Sequence, residues 1–312
     1  MKTVLHYTGY DDDGGGITTF IRNLAGGGRF ECLLGLNEGA VQHRTPALPV
    51  LFLPRVAGER IGPGNFWRAR AVARAVQAWL GADGSRVFHG HSRAGLLVGL
   101  WLHGLGETRF VVSVHCYGRQ RWFYRWAARR LGPRLYWLSP AMRSYYAAPG
   151  SGWHRCIAGA VPASRVSPAP PVAGRLRLGG IGALVRWKRW EMVIDALARL
   201  PAGADVSFQH IGGDPERLQD ELWQLARSKG LGDRIRFCGP EPTSDRLLGE
   251  IDVLVVASEN EPFSMAMLEA LAAGVPVLAA DSGGAVDVVR DGVNGRLYRT
   301  GDADALVEVL RE

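Results

Sequence analysis

The stretch DVLVVASENEPFSMAMLEALAAGVPVLAA, residues 252–280, contains the pattern that decides the fold of this chain. It begins with an apolar run of strand length and continues through a short polar loop. A helical pattern then extends from Ser264, a suitable N-cap, to Gly274, a suitable C′ residue. The apolar run VPVLAA follows directly. A strand, a helix and a second strand in this order are typical of a parallel α/β sheet.

The same alternation extends over most of the 312 residues. The other β-rich runs are KTVLHYT, ECLLGL, VLFLP, RVFHGH, RFVVSVH, LYWLS, LRLGGIGAL, DVSFQHIGG and RIRFCG, and helical patterns separate most of them. Residues 161–175 break the pattern with four prolines, which is typical of a linker. We therefore expect two doubly wound α/β domains, residues 1–163 and 164–312, whose ligands bind at the carboxyl ends of the strands.

Composition limits the classes of function. The formal net charge is +7 and the pI is about 9.5, which favours anionic partners without choosing among them. The four cysteines form no CxxC motif, so we expect free thiols in a reducing cytosol and no metal site. Residues 1–5 lead into the patterned chain without a signal-peptide core, and no apolar run is long enough for a membrane span. These features predict a cytoplasmic protein.

Two glutamates interrupt the apolar stretch at its loop and helix. Glu261 precedes the helix, and Glu269 lies in its second turn. The N–H groups of Met265, Ala266 and Met267 are in the first turn, where intrahelical partners are lacking and a phosphate can bind. Ionised carboxylates accept hydrogen bonds from vicinal sugar hydroxyls. The alternative is a dipole-complementing acid followed by a surface glutamate.

The segment EPFSMAMLEALAAGVPV resembles the E-x7-E motif of the retaining GT-B glycosyltransferases of family 4, also called glycosyl transferases group 1, with Ser264 at the usual glycine. Residues 282–298 are similar to the family's GG-x-x-E run, with Asp287 at the usual glutamate, and residues 210–239 are similar to its nucleotide-domain segment. Weaker similarity extends to residue 1. The resemblance implies a GT-B fold, in which two Rossmann-like domains face a central cleft.

This resemblance assigns roles in binding a nucleotide-diphosphate sugar. Glu269 would bind the ribose, and Glu261 would lie beside the transferred sugar as a catalytic residue. Backbone groups of the same domain would contact the sugar, the phosphates and the base, namely Phe263, Ser264, Met265, Gly239 and Pro240.

The family neutralises the diphosphate leaving group with a basic pair from a G-R-L-x-x-x-K-G motif. The corresponding stretch here is IGALVRWKRWE, in which Lys188 matches the lysine. The expected arginine is Ala183, and the glycine after the lysine is Arg189. Either Arg186 or Arg189 supplies the missing charge, or the donor chemistry is weakened. The alternative for both arginines is solvated loop charge.

In the first half, YDDDGGGITTFIRNLA has a glycine run that enters a helix. The family has a G-G loop here, so Gly15 and Gly16 are expected to approach the donor phosphate or the acceptor, with the helix beginning at Ile17. A simple turn is the alternative. Residues 11–13, three consecutive aspartates, either face the acceptor or form a solvated loop.

Two histidines follow predicted strands of the first half. The segment VFHGHSRAGLL is similar to the family's V-x-H-x-H-S segment, so His91 would border the acceptor pocket, with a packed core histidine as the alternative. The segment VVSVHCYG is similar to the family's T-V-H-G strand end, so His115 would contact the donor sugar near its reacting face. A core histidine is again the alternative.

Residues 118–134 combine six arginines with four aromatic residues. On a helix, this composition suits the headgroup layer of an anionic bilayer, so we expect peripheral membrane attachment and a lipid-linked or otherwise anionic acceptor. The alternative is an aromatic core with a solvated arginine face. No nucleic-acid motif accompanies the basic residues, so nucleic acid is not an expected partner.

The resemblance implies transfer of a sugar from a nucleotide-diphosphate donor to a glycan, lipid-linked or small-molecule acceptor, with retention and without a metal or other cofactor. Bacterial cell-envelope polysaccharide or glycoconjugate synthesis is the expected setting. The alternatives are a GT-B epimerase or phosphorylase and an inactive nucleotide-sugar-binding protein. A two-carboxylate glycosidase would not require Lys188. Family members usually continue beyond the final helical pattern, so we expect domain closure to differ here.

Overall fold

The computed structural model describes residues 2–43, 48–146, 155–156, 159–164, 166–201 and 203–312. The chain divides into two compact units, Met1–Pro162 (unit 1) and Ala163–Glu312 (unit 2). Each unit contains a parallel sheet with helices in its crossover connections. The prediction of two doubly wound α/β sheets is therefore confirmed.

Unit 1 is built from strands and helices that alternate along the chain. Its strands are β1 Thr3–Tyr7, β2 Glu31–Asn37, β3 Val50–Leu53, β4 Arg86–Gly90, β5 Phe110–Val114, β6 Leu135–Trp137 and β7 Arg155–Cys156. Its helices are α1 Gly15–Gly26, α2 Pro63–Leu80, α3 Ser92–Gly104, α4 Arg121–Leu131 and α5 Pro140–Tyr145. In the described residues the strands pair in the order β3-β2-β1-β4-β5-β6-β7, all parallel.

Unit 2 repeats this plan. Its strands are β8 Arg175–Ile181, β9 Asp205–Ile211, β10 Ile235–Phe237, β11 Val253–Val256, β12 Val277–Ala280 and β13 Gly295–Tyr298. Its helices are α6 Trp190–Ala198, α7 Gln219–Ser228, α8 Asp245–Glu250, α9 Met265–Ala272, α10 Ala285–Val288 and α11 Ala303–Arg311. The described strands pair in the order β10-β9-β8-β11-β12-β13, all parallel.

The order of the strands gives each unit a topological switch point, the place where sheets of this type bind ligands. The chain runs outward from β1 to β3, returns to the other side of β1, and runs outward again from β4; β8 and β11 are related in the same way. Beside the first strand the helices on either side diverge, and the loops at the carboxyl ends form a crevice. The loops after β8 and β11 thus flank the switch point of unit 2, and the loops after β1 and β4 flank that of unit 1.

The structure adds short elements that the apolar patterns did not indicate, namely β7, β13, α5 and α10. It also starts α1 at Gly15, two residues before the expected Ile17. Here the Thr18 hydroxyl donates to the carbonyl oxygens of Gly14 and Gly15, at 2.6 and 2.9 Å, which stabilises an earlier first turn. Among the described helices none is both long and apolar enough to cross a bilayer.

Candidate functional site

The switch point of unit 2 brings Lys188 and Glu261 together. Lys188 ends a 3₁₀ turn, Arg186–Lys188, after β8, and Glu261 lies in the loop after β11. Their side chains are only 13% and 9% exposed, and Lys188 Nζ lies 2.5 Å from Glu261 Oε2. The Glu259 N–H also donates to the Trp187 carbonyl at 2.9 Å, which joins the two loops. A cation and a carboxylate 73 residues apart thus form one largely buried pair.

Lys188 stands out by its residue type and its surroundings. The chain has three lysines among 37 basic residues, so lysine is the less usual cation here. Its Nζ lies 4.6 Å from the centroid of the Trp187 ring, within cation–π range. A compact ammonium held by an aromatic face and a carboxylate is a point charge in a fixed place, which suits a diphosphate ligand.

A glycine pair after β12 holds the loop of Glu261. The Gly284 N–H donates to the Glu261 carbonyl at 2.8 Å. A Cβ atom on Gly283 would lie 1.9 Å from the same carbonyl oxygen, and Gly283 has a φ of +57°. Both the close approach and the left-handed backbone therefore require glycine at this position. The glycine pair of the family-like segment 282–298 is thus a packing feature that fixes Glu261.

We predict that Gly283→Ala lowers the free energy of unfolding of unit 2 by about 3 kcal/mol, because the added methyl group displaces the Glu261 loop and the backbone is strained. Urea titration followed by hydrogen exchange in unit 2 measures this change. Gly249→Ala is the matched control, since a Cβ there meets only Val166 at 3.8 Å. Equal stability of the two variants would contradict the packing argument.

The start of α9 differs in one respect from expectation. Ser264 is the N-cap, as expected, and its hydroxyl oxygen accepts a hydrogen bond from the Met267 N–H at 3.3 Å. This contact corrects the expectation that the Met267 N–H is open to a phosphate, because the serine already satisfies it. The N–H groups of Met265 and Ala266 are the remaining candidates of the first turn.

Glu269 lies in α9, as expected, and its Oε2 accepts a hydrogen bond from the Ser244 hydroxyl at 2.7 Å. Ser244 precedes α8, so a second element orients this carboxylate. Gly239 and Pro240 follow β10, and a φ of +75° at Gly239 turns the chain there. Phe263 is partly buried and lies beside Gly284, whose Cβ would meet its ring at 3.0 Å. All these positions lie at the carboxyl edge of the unit 2 sheet.

The two arginines near Lys188 are engaged by carboxylates of unit 2. The Arg186 side chain is 69% exposed and lies 3.0 Å from Glu221. Arg189 lies 3.1 Å from Glu191 and 3.2 Å from Glu259. Arg189 also has a φ of 57°, the left-handed conformation that the family's glycine adopts freely. These contacts are all to carboxylates, so a role of Arg186 or Arg189 in donor binding stays a prediction.

Unit 1 gathers histidines at its own switch point. The parallel register of β1 and β4 pairs His6 with His89. His6 Nδ1 lies 3.0 Å from His91 Nε2, and His91 Nδ1 lies 2.9 Å from His115 Nε2. His91 is fully buried and His115 is partly exposed. Full burial of His91 agrees with the alternative of a packed core histidine, and its contact with an acceptor stays a prediction.

Burial keeps these imidazoles neutral. Desolvation lowers the pKa of His6 to about 4 and that of His115 to about 3. The pKa values of His89 and His91 are also well below the usual value, mainly through burial and then through neighbouring histidines. Ligand atoms of His6, His89 and His91 lie within 4.8 Å of one another, close enough to share a divalent cation. Absence of a metal site therefore stays a prediction.

The glycine run and the aspartates form the loop after β1. A Cβ atom on Gly15 or Gly16 would meet nothing within 4 Å, but Gly15 has a φ of +84°, a left-handed conformation that favours glycine. Of the three aspartates at residues 11–13, Asp11 and Asp12 are exposed, which agrees with a solvated loop, whereas Asp13 is not. Asp13 is fully buried and pairs with Arg22, while Asp12 accepts a hydrogen bond from the Gly14 N–H at 2.7 Å.

The α4 segment divides its aromatic residues between the core and the surface. Phe123 and Tyr124 are buried, whereas Trp122 and Trp126 are 70% and 46% exposed. The two indoles are four residues apart and therefore lie on one helix face. Four arginines of residues 118–134 are also exposed, and the segment contains no acidic residue. The aromatic residues of α4 are thus divided between core and surface, and membrane attachment stays a prediction.

Sequence reasoning did not select three residues that organise these sites, His6, Ser244 and Gly283. His6 ends an apolar strand, and the H-x-H pattern at β4 is the signal that could have indicated its partner. The glycine pair at residues 283–284 belonged to a recognised motif. Ser244 carries no sequence signal of its own.

Comparison with known sequences finds similarity to glycosyltransferases in unit 2. Residues 173–312 match the family described as glycosyl transferases group 1. The lipopolysaccharide core biosynthesis glycosyltransferase LpsE of Rhizobium meliloti (strain 1021) is 34% identical over 132 residues, which are 42% of this chain and 37% of LpsE. The D-inositol 3-phosphate glycosyltransferase of Nocardia farcinica (strain IFM 10152) is 43% identical over 169 residues, which are 47% of this chain and 37% of that protein. The matches span little more than a third of these relatives.

Comparison with solved structures extends over the whole chain. HepE of Anabaena, in complex with UDP and glucose, has a TM-score of 0.79 at 23% identity, covering 99% of this chain and 89% of HepE. Sucrose-phosphate synthase of Thermosynechococcus elongatus has a TM-score of 0.77 at 19% identity, covering 100% of this chain and 89% of that protein. At these identities the likeness shows the fold, which is GT-B. The likeness to the glycosyl transferases group 1 family lies in residues 173–312, within unit 2.

Proposed function

We propose that this protein is a retaining glycosyltransferase that transfers a sugar from a nucleotide-diphosphate sugar to a glycan, lipid-linked or small-molecule acceptor. The observation that carries the proposal is the Lys188–Glu261 pair at the switch point of unit 2, 2.5 Å apart and beside the start of α9. This arrangement places a cation, a carboxylate and helix N–H groups at one sheet edge. Those groups suit a phosphorylated sugar.

The donor follows from the charges at this edge. Lys188 pairs with Glu261, and a diphosphate offers the ammonium a more highly charged partner. The Met265 and Ala266 N–H groups add uncharged donors at a positively polarised helix end. Glu269, oriented by Ser244, is placed to accept hydrogen bonds from a ribose diol. HepE, solved with UDP and glucose, supports a nucleotide diphosphate as the leaving group.

In the proposed reaction, the bond between the anomeric carbon and the phosphate oxygen breaks while negative charge grows on the diphosphate. Lys188 and the helix end stabilise this charge, which is electrostatic catalysis. The acceptor oxygen forms its bond to the anomeric carbon on the face that the diphosphate leaves. An oxygen of the departing diphosphate takes the proton of the acceptor hydroxyl, and the configuration is retained. His115 is the residue of unit 1 that we expect to contact the donor sugar. A lysine supplies the neutralising charge in this scheme, so we expect EDTA to leave turnover unchanged.

Unit 2 indicates the donor more closely than it indicates the acceptor or the cellular setting. LpsE is named for lipopolysaccharide core biosynthesis, and the Nocardia relative is named for an inositol phosphate. These names support a phosphorylated or lipid-linked acceptor. We therefore place the protein in bacterial envelope polysaccharide or glycoconjugate synthesis, in the cytoplasm, at the inner face of the plasma membrane.

The proposal is tested by screening nucleotide sugars for an increase in melting temperature, because a ligand that binds the native state stabilises it. We expect one donor class to raise it, and Glu269→Ala to weaken that donor by about 10- to 100-fold, the cost of lost charged hydrogen bonds. Glu308→Ala, which removes an exposed carboxylate of α11, is the control.

Product analysis with the selected donor separates the alternatives. Transfer to an acceptor from a cell extract with retained configuration supports the proposal. Conversion of the donor without an acceptor indicates an epimerase. Binding without turnover indicates an inactive member, for which Ala183 in place of the family's arginine is the structural reason. An absence of nucleotide-sugar binding would overturn the proposal itself.

The exposed face of α4 predicts binding to anionic membranes. We expect the protein to co-sediment with phosphatidylglycerol vesicles at low salt, and Trp122→Ala with Trp126→Ala to weaken this binding by about tenfold or more, because two indoles leave the headgroup layer. Trp223→Ala is the matched control, since Trp223 is 40% exposed in unit 2. Equal sedimentation of the double variant and the control would exclude α4 as the membrane contact.

A further inference from the structure

Three histidines of unit 1 form a continuous chain of ring contacts. His6 Nδ1 lies 3.0 Å from His91 Nε2, and His91 Nδ1 lies 2.9 Å from His115 Nε2. Each separation is that of a hydrogen bond, and each contact requires one proton between its two nitrogens. His91 uses both of its ring nitrogens in the chain. His6 Nε2 and His115 Nδ1 are the two end positions.

The surroundings of this histidine chain disfavour a charged imidazolium. His6 and His91 are 3% and 0% exposed, and the Phe20 ring lies edge-on to both His91 and His115. His89 packs on His91 with ring centroids 4.0 Å apart, and Ser113 Oγ lies 2.7 Å from His89 Nε2. Burial lowers the pKa of His6 to about 4 and that of His115 to about 3. Near neutral pH each ring therefore carries one proton.

Counting the ring protons leaves two possible arrangements of the protons on His6, His91 and His115. If the proton of His91 is on Nδ1, it is donated to His115 Nε2, so His115 is protonated on Nδ1, and His6 must donate from Nδ1. If the proton of His91 is on Nε2, it is donated to His6 Nδ1, so His6 is protonated on Nε2, and His115 must donate from Nε2. Any other combination sets two lone pairs or two protons against each other in a buried contact.

We propose that His91 and His6 are positioning residues that couple the three rings into one two-state unit, which sets whether His115 Nδ1 donates or accepts a hydrogen bond. The two arrangements hold equal numbers of protons and differ by one proton bound at His115 Nδ1 and one released from His6 Nε2. The His115 ring is therefore neutral in both arrangements, and its Nδ1 either donates a hydrogen bond to a ligand hydroxyl or accepts one from it. This step rests on the proposed function only in placing a sugar beside His115.

The test is a long-range ¹H–¹⁵N spectrum of the full chain labelled with ¹⁵N-histidine. Near neutral pH we expect His6, His91 and His115 to be neutral and to be protonated on the same type of nitrogen, all on Nδ1 or all on Nε2. In His91→Phe the tautomers of His6 and His115 should become independent. His103→Phe changes a histidine of α3 that does not contact the three rings, and it should leave their common tautomer unchanged.

Opposite tautomers within the wild-type chain, or an imidazolium among the three rings, would overturn the proposal. Equimolar Co²⁺ that broadens the signals of His6, His89 and His91 would also overturn it, since an ion would then replace the shared protons. The wild-type spectrum decides these points even if His91→Phe does not fold.

Activity gives a separate measurement. We expect His91→Phe to lower kcat by about 10²-fold with little change in the donor KM, and His91→Gln to recover part of it because an amide both donates and accepts. Equal kcat in His91→Phe and wild type would overturn the positioning role. A common tautomer in a protein that transfers no sugar would support the coupled chain and overturn the proposed function.

Discussion

Lys188→Ala is expected to lower kcat/KM for the selected nucleotide sugar by about 10²- to 10³-fold, the usual effect of removing one group that stabilises transition-state charge. Most of the loss should fall on kcat, because the diphosphate gains its extra negative charge only as the sugar departs. Steady-state kinetics with wild type and variant measure this directly. Lys229→Ala is the matched control, since Lys229 also pairs with an acid, Asp195, at 3.0 Å.

The same substitution also breaks a largely buried ion pair. Glu261 is left without its cation at 9% side-chain exposure, and an uncompensated buried charge costs about 3–5 kcal/mol. The double variant Lys188→Met with Glu261→Gln removes both charges and should recover most of this stability without recovering turnover. Full activity in Lys188→Ala would show that another cation, Arg186 or Arg189, neutralises the leaving group.

The fold could be predicted from the sequence because its strands are buried runs separated by helical patterns. In β12, for example, all four residues are buried, so the strand appears as VLAA without alternation. The elements that were missed are short. The four-residue strand β13 has only one fully buried residue, and α5 spans six residues after its Ser139 N-cap. Such elements depend on tertiary contacts more than on local pattern.

The candidate site was predictable only in part. The start of α9 follows from Ser264 and the helical pattern after it, and these are local features. The Lys188–Glu261 pair joins residues far apart in sequence, and only the pairing of β8 with β11 brings their loops together. The contact of His6 with His91 depends likewise on strand register, which apolar runs buried on both faces do not specify. Long-range register therefore limits what sequence reasoning can give here.

Acid is expected to destabilise unit 1 more than unit 2 between about pH 7 and about pH 5. Four histidines of unit 1, namely the buried His6, His89 and His91 and the partly exposed His115, have lowered pKa values. Unit 2 has a single histidine, His210, whose pKa burial lowers to about 4. Carboxylates titrate mostly below this window, so the histidines dominate it.

The direction follows from proton counts. Unfolded histidines bind protons as the pH falls below about 6.5, whereas the buried rings stay neutral, so the unfolded state gains protons and stability falls. His6 and His115 alone should each remove about 2 kcal/mol by about pH 5, and His89 and His91 act in the same direction. Hydrogen exchange in urea, compared between β1, β4 and β5 of unit 1 and β8 and β11 of unit 2, measures the difference. An equal loss in both units would contradict neutral burial of the histidines.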